Sequence, residues 1–70
     1  MDPTATYRLW LAALADNDKA AAIDHADDLL DWLARGGHDP QGWTAKQAAD
    51  FHYWAGAHGL LVGQQRQVPR

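Results

Sequence analysis

The chain has 70 residues and a formal net charge of −3 at pH 7. A chain of this length forms a single domain and is too short for a second core. The acidic balance argues against a broad basic surface of the kind that binds phosphates. The absence of cysteine excludes disulfides and thiolate zinc sites.

The chain has many hydrophobic residues, but a large share of them have small side chains. Hydrophobic residues make up 47% of the chain, yet fourteen of them are alanine and only nineteen carry a bulky apolar side chain. A single core in a domain below about 70–80 residues supplies only ~3–5 kcal/mol of stability. We therefore expect association with a second copy, or with another protein, to contribute stability.

The composition predicts an all-α fold, because β-branched residues number only six whereas alanine and leucine are abundant. The predicted architecture is a small three-helix bundle, an antiparallel helical hairpin plus a third helix. We expect residues 1–62 to form the domain and residues 63–70 to form a flexible polar tail. The sequence contains no apolar run of roughly 18 residues, the length that a membrane-spanning helix needs. Met1-Asp2-Pro3 does not resemble the start of a signal peptide. A cytoplasmic location is therefore expected.

The first helix is predicted from Pro3 to Ala15, with Asp2 as its cap and proline in its first turn. Its main apolar stripe has helical spacing and should face the core: Tyr7, Trp10, Leu11 and Leu14. Leu9 lies on nearly the opposite side, together with Ala5, Ala12 and Ala13. The helix is therefore apolar almost all round, which predicts that more than one side is covered.

The second helix is predicted from Lys19 to Arg35, after a short Asp16–Asp18 turn that makes the first two helices antiparallel. Gly36-Gly37 ends it. One arc is apolar: Ala22, Ile23, Ala26, Leu29, Leu30 and Leu33. The opposite arc carries an acidic stripe: Asp24, Asp27, Asp28 and Asp31.

The third helix is predicted to start after Thr44, which forms a capping box with Gln47, and to extend to about His58. Gly56 is an alternative end. The predicted core arc is rich in small residues: Ala45, Ala48, Phe51, His52 and Ala55. Trp54 falls on the polar arc. Trp43 is expected to pack on Ala48, and Leu60–Val62 is expected to fold back onto the bundle.

The acidic stripe does not match a calcium loop, whose ligands alternate along a loop with a glycine at the bend. Carboxylates on an exposed helix arc are usually solvated, and the functional alternative is a basic protein partner.

No metal, cofactor or catalytic residue is predicted. Two metal ligands on one helix need a spacing of three or four residues, whereas His52 and His58 are six apart. His25 and Asp28 have a suitable spacing, but no third ligand is identifiable. The chain contains no serine or cysteine, so the commonest nucleophiles are absent, and no enzymatic role is expected.

Binding to nucleic acid is an alternative with weak support. Residues 44–49 resemble the opening helix of a helix-turn-helix, but the helical pattern continues through residues 50–54, where that motif needs a turn. In this alternative Lys46 and Arg66 would contact phosphate, or the acidic stripe would contact a basic nucleic-acid-binding protein.

Large apolar side chains outside the predicted core arcs favour a protein interface, because aromatic residues are enriched at interface cores. The candidate interface residues are Leu9, Trp32, Tyr53 and Trp54. The predicted function is a small non-enzymatic protein-interaction module that forms a homodimer or binds another protein.

Overall fold

The computed structural model describes residues 1–60, and these form three helices and no strand: α1 (Pro3–Ala15), α2 (Lys19–Ala34) and α3 (Ala45–Ala57). This confirms the predicted all-α, three-helix architecture. Leu61, Val62, the predicted tail 63–70 and its Arg66 lie outside the described residues. Leu60, the last described residue, packs against the core.

Each helix starts at a side chain that caps it, as the sequence predicts. Asp2 Oδ1 accepts a hydrogen bond from the Thr4 amide at 3.0 Å, and Asp18 caps α2 in the same way. At α3 the Gln47 amide donates to Thr44 Oγ1 at 3.1 Å, while the Thr44 amide donates to Gln47 Oε1 at 2.8 Å. These bonds satisfy amide groups that have no partner within the helix, so the helix starts are determined locally.

The helix ends also follow from local signals. Asn17 has a φ of 59° in the turn between α1 and α2, a conformation that asparagine tolerates better than most residues. Beyond α2 the Gly37 amide donates to the Trp32 carbonyl at 2.9 Å. Helix α3 passes through Gly56 and ends before Gly59, whose φ is 79°. Glycine adopts this conformation without steric cost, so Gly59 rather than Gly56 marks the end of the helix.

Alanines line the contact between α1 and α2. Ala13, Ala22 and Ala26 are all buried, and the short Cα–Cα distances between helices are concentrated in this pair. A small side chain lets two helix backbones approach closely, because helix separation depends on the side chains at the contact. Leu29 and Leu30 of α2 extend the buried surface.

The predicted core face of α1 is wrong in part. Tyr7 and Trp10 are buried as predicted, but Leu11 and Leu14 are 43% and 38% exposed. Ala13, predicted on the far side, is buried. The prediction assigns the large apolar side chains to the core. In the structure α2 packs against the small side chain of Ala13, so the buried stripe is shifted toward that residue.

Large aromatic side chains, rather than small ones, hold α3 against α1. The ring of Phe51, which is fully buried, lies 5.0 Å from that of Trp10, edge to face. Trp54 meets Trp10 at 5.5 Å, and Trp43, just before α3, meets Tyr7 at 5.5 Å. Edge-to-face ring pairs at these separations contribute about 0.5–1.5 kcal/mol beyond the area they bury. The indole N–H groups of Trp10 and Trp43 are buried with no acceptor among residues 1–60, which costs free energy that the apolar contacts of the cluster must offset.

The core face of α3 is rotated from the predicted arc. Phe51 and Ala55 are buried as predicted, but Ala45 and His52, predicted on the same arc, are exposed. Trp54, predicted on the polar arc, is half-buried and packs against the core. A large indole buries more apolar area than an imidazole, and α3 therefore turns its tryptophan inward.

Candidate protein interface

Trp32 is covered by the loop that follows its own helix. Its Nε1–H donates to the His38 carbonyl at 2.9 Å, and its ring lies 5.6 Å from the His38 ring, edge to face. A Cβ atom added at Gly37 would overlap the indole. Trp32 is half-buried and its polar group has a partner within the chain.

The same loop is fixed to α1. The Gln41 amide donates to Thr4 Oγ1 at 2.8 Å, and Pro40 is buried. The loop that shields Trp32 is therefore anchored at both the α2 end and the α1 surface. Trp32, predicted as an interface residue, is therefore partly covered by a loop of its own chain.

Trp54 also has partners within the chain. Its ring stacks on that of His58 with centroids 4.0 Å apart, in addition to its contact with Trp10. The Nδ1 atom of His58 lies 2.8 Å from the Trp54 carbonyl oxygen, a distance at which a protonated Nδ1 donates to that oxygen. Trp54 thus closes the aromatic cluster at the end of α3.

A groove of about 180 Å³ lies beside Trp54, between the α1–α2 turn and the end of α3. Leu14 and Lys19 also line it. Its size is below the several hundred cubic ångströms usual for sites that enclose a small molecule.

Leu9 and Tyr53 are the two candidate interface residues that remain well exposed, at 51% and 81%. They lie on different helices, Leu9 on α1 and Tyr53 on α3. Leu9 lies on α1 outside the buried stripe, and Tyr53 is two residues from both Phe51 and Ala55, on the side of α3 turned away from the core.

The exposed surface of α1 is larger than the sequence predicts. Leu11 and Leu14 join Leu9 among the exposed large hydrophobic residues, but helical spacing places both on a different side of α1 from Leu9. Arg8 is the only charged residue between Pro3 and Ala15. The near-uniform apolar character of this helix is the sequence signal that indicates this surface.

The acidic stripe is fully on the outside of α2, as predicted: Asp24, Asp27, Asp28 and Asp31 are exposed. Asp31 forms an ion pair with Arg35 at 3.1 Å. Lys46 on α3 donates to Asp50 at 2.7 Å, and this hydrogen bond raises the pKa of Lys46. Lys46, a phosphate contact in the nucleic-acid alternative, thus already has an acidic partner.

Within residues 1–60, no three histidine or acidic side chains converge on a point where a metal ion could bind. Helices in this part of the chain are too short or too polar to cross a membrane.

Comparison of the chain with protein-family models, with curated proteins and with solved structures gives no match.

Replacing Gly37 by alanine tests the cover over Trp32. The added Cβ must displace the indole and with it the bond to His38, so we expect the free energy of unfolding to fall by about 2–3 kcal/mol. Gly42→Ala is the matched control, because Gly42 has open space around it and a φ of 75°. That change should cost only about 1 kcal/mol of backbone strain. Equal losses for the two variants, measured by chemical denaturation, would contradict the packing of Trp32.

Replacing Trp54 by glutamine tests whether this side chain stabilises the fold. We expect a loss of about 1–3 kcal/mol in unfolding free energy, because the contacts with Trp10 and His58 disappear. Tyr53→Gln is the neighbouring control and should change stability by less than about 0.5 kcal/mol in dilute solution. If Trp54→Gln leaves the denaturation midpoint unchanged, Trp54 is a surface residue instead.

Proposed function

We propose that the chain is a small non-enzymatic protein-interaction module that associates with a second copy of itself through the exposed side of α1. The observation that carries the proposal is the apolar surface of that helix. Leu9 is 51% exposed, Ala5 and Ala12 on the same side of the helix are also exposed, and the helix carries one charged side chain along thirteen residues. A helix apolar on its outer as well as its inner side is stabilised when a partner covers it.

The energetics of the chain support the same proposal. Among residues 1–60 the fully buried large side chains are Phe51 and Leu29, and four of the other buried core residues are alanine. Large-residue burial supplies most of a core's stabilisation, at about 1.5–3 kcal/mol for each fully buried side chain. Covering Leu9 in a dimer would add apolar burial that the isolated chain lacks.

Tyr53 belongs to a separate surface on α3. Its immediate helical neighbours include Ala49 and Ala57, so the ring stands above small side chains. In a dimer formed through α1, Tyr53 stays exposed. The cytoplasmic location predicted from the sequence remains a prediction.

Sedimentation equilibrium tests the proposal. The wild-type chain at high micromolar concentration should show a mass near twice 7.7 kDa, because α1 is covered by a second copy. Leu9→Gln should lower that mass toward the monomer with helical content retained, and Tyr53→Gln should leave it unchanged.

A strictly monomeric wild-type chain at that concentration would overturn self-association. A dimer that Tyr53→Gln disrupts and Leu9→Gln does not would move the contact to α3. Far-UV circular dichroism of each variant separates loss of association from loss of folding.

A basic protein partner is the second candidate function, favoured by the exposure of the acidic stripe on α2. An oligolysine peptide is a suitable probe, and its binding should weaken as salt is raised because the contacts are exposed. Replacing Asp24 and Asp28 by asparagine should weaken binding severalfold. The control, Asp39→Asn with Asp50→Asn, has the same net charge but leaves the stripe intact. Equal weakening by both pairs would indicate attraction by net charge and would contradict a specific site.

A further inference from the structure

One face of α1 is exposed along its whole length and points away from the core. Its members follow helical spacing and are all exposed: Ala5, Arg8, Leu9, Ala12, Ala15 and Asp16, which is the C-cap residue directly after α1. We call this set the outer face of α1. The buried stripe of the same helix contains Tyr7, Trp10 and Ala13, and the outer face lies on the opposite side.

The two charges on the outer face are opposite in sign and evenly placed. Arg8 and Asp16 each lie four residues from Ala12, about 6 Å along the helix on either side of it, at 1.5 Å per residue. Within residues 1–60 the ion pairs are Arg35–Asp31 and Lys46–Asp50. Arg8 and Asp16 therefore have no ionic partner in the described part of the chain.

We propose that two copies pair through their outer faces, with the α1 helices antiparallel and crossing at Ala12. This arrangement rests on the self-association proposed above. A twofold axis at Ala12 brings Arg8 of each copy level with Asp16 of the other, so the interface contains two identical ion pairs.

Charge disfavours the other simple arrangements. A parallel pair would place Arg8 against Arg8 and Asp16 against Asp16. An antiparallel pair centred on Leu9 would place Asp2 of each copy against Asp16 of the other. Like charges that face each other across an interface oppose association, and the crossing at Ala12 avoids both conflicts. Alanine at the crossing also permits a short distance between the helix axes.

Charge reversal tests the arrangement with the full chain. Arg8→Asp places two acidic pairs across the interface, and Asp16→Arg places two basic pairs there. The dimer of each single variant should have a dissociation constant about tenfold higher than that of wild type, because both ion pairs change from attraction to repulsion. Sedimentation velocity over a concentration series measures the effect.

Two rescues make the test specific. An equimolar mixture of the Arg8→Asp and Asp16→Arg chains restores both ion pairs and should form a heterodimer. The double variant Arg8→Asp/Asp16→Arg restores them within a homodimer and should associate like wild type. These rescues keep the proposal testable if one single variant folds poorly.

Control reversals outside the outer face have the same change in net charge. Lys19→Asp matches Arg8→Asp and Asp24→Arg matches Asp16→Arg, and both controls should retain the wild-type dimer. Two results would overturn the antiparallel arrangement and leave self-association standing. In the first, the control variants weaken the dimer as much as the outer-face variants do. In the second, mixing the two single variants does not restore association. A monomeric wild type would overturn both proposals.

Discussion

The close contact between α1 and α2 determines how the rest of this molecule is arranged. Alanines at 13, 22 and 26 let the two backbones approach, so the region that a larger domain fills with leucine and isoleucine is occupied by main chain and methyl groups. As a consequence, some large apolar side chains lie outside the closest part of the helix contact. Leu11 and Leu14, which are large enough for a core position, lie at the flank of this contact and keep part of their surface in water.

The aromatic cluster solves the problem that this contact creates. Two helices packed closely at alanine bury little apolar area, and the third helix is attached through wide, flat side chains. Phe51 and Trp10 form the centre of the cluster, and Trp43 and Trp54 close its two sides. Aromatic rings bury a large area while losing few side-chain rotamers. A chain with limited apolar volume gains much of its stability from such residues.

The proposed function follows from what this packing leaves outside. The contact of α2 and the aromatic cluster together cover only one side of α1, and the apolar residues on its other side have no partner in the described chain. The charges on that side, Arg8 and Asp16, are complementary only when a second copy runs in the opposite direction. In the proposed dimer, this surface, which has no partner among residues 1–60, is its own complement under twofold symmetry.

Local physical chemistry is what the sequence by itself determined. Asp2, Asp18 and the Thr44–Gln47 pair locate the helix starts, because each cap involves atoms within a few residues of one another. The exposure of the acidic stripe on α2 was also predictable from the sequence, since four charged side chains stay in water however the helices pack. The exposure of the candidate interface residues was predictable only in part: Leu9 and Tyr53 are exposed, whereas Trp32 and Trp54 are partly covered within the chain.

Tertiary structure decided which residues flank the buried stripes of α1 and α3. On α1 the sequence offered leucines on one side and alanine on the other, and the approach of α2 selected Ala13 over Leu11. On α3 it offered His52 or Trp54 as the flank of Phe51, and contact with Trp10 and His58 selected Trp54. Trp32 is covered because Gly37 leaves space for the indole, a contact made by the folded loop. The physical reason is the same in each case. Burial of a side chain depends on the distance to the neighbouring element, and the spacing of residues along one helix does not determine that distance.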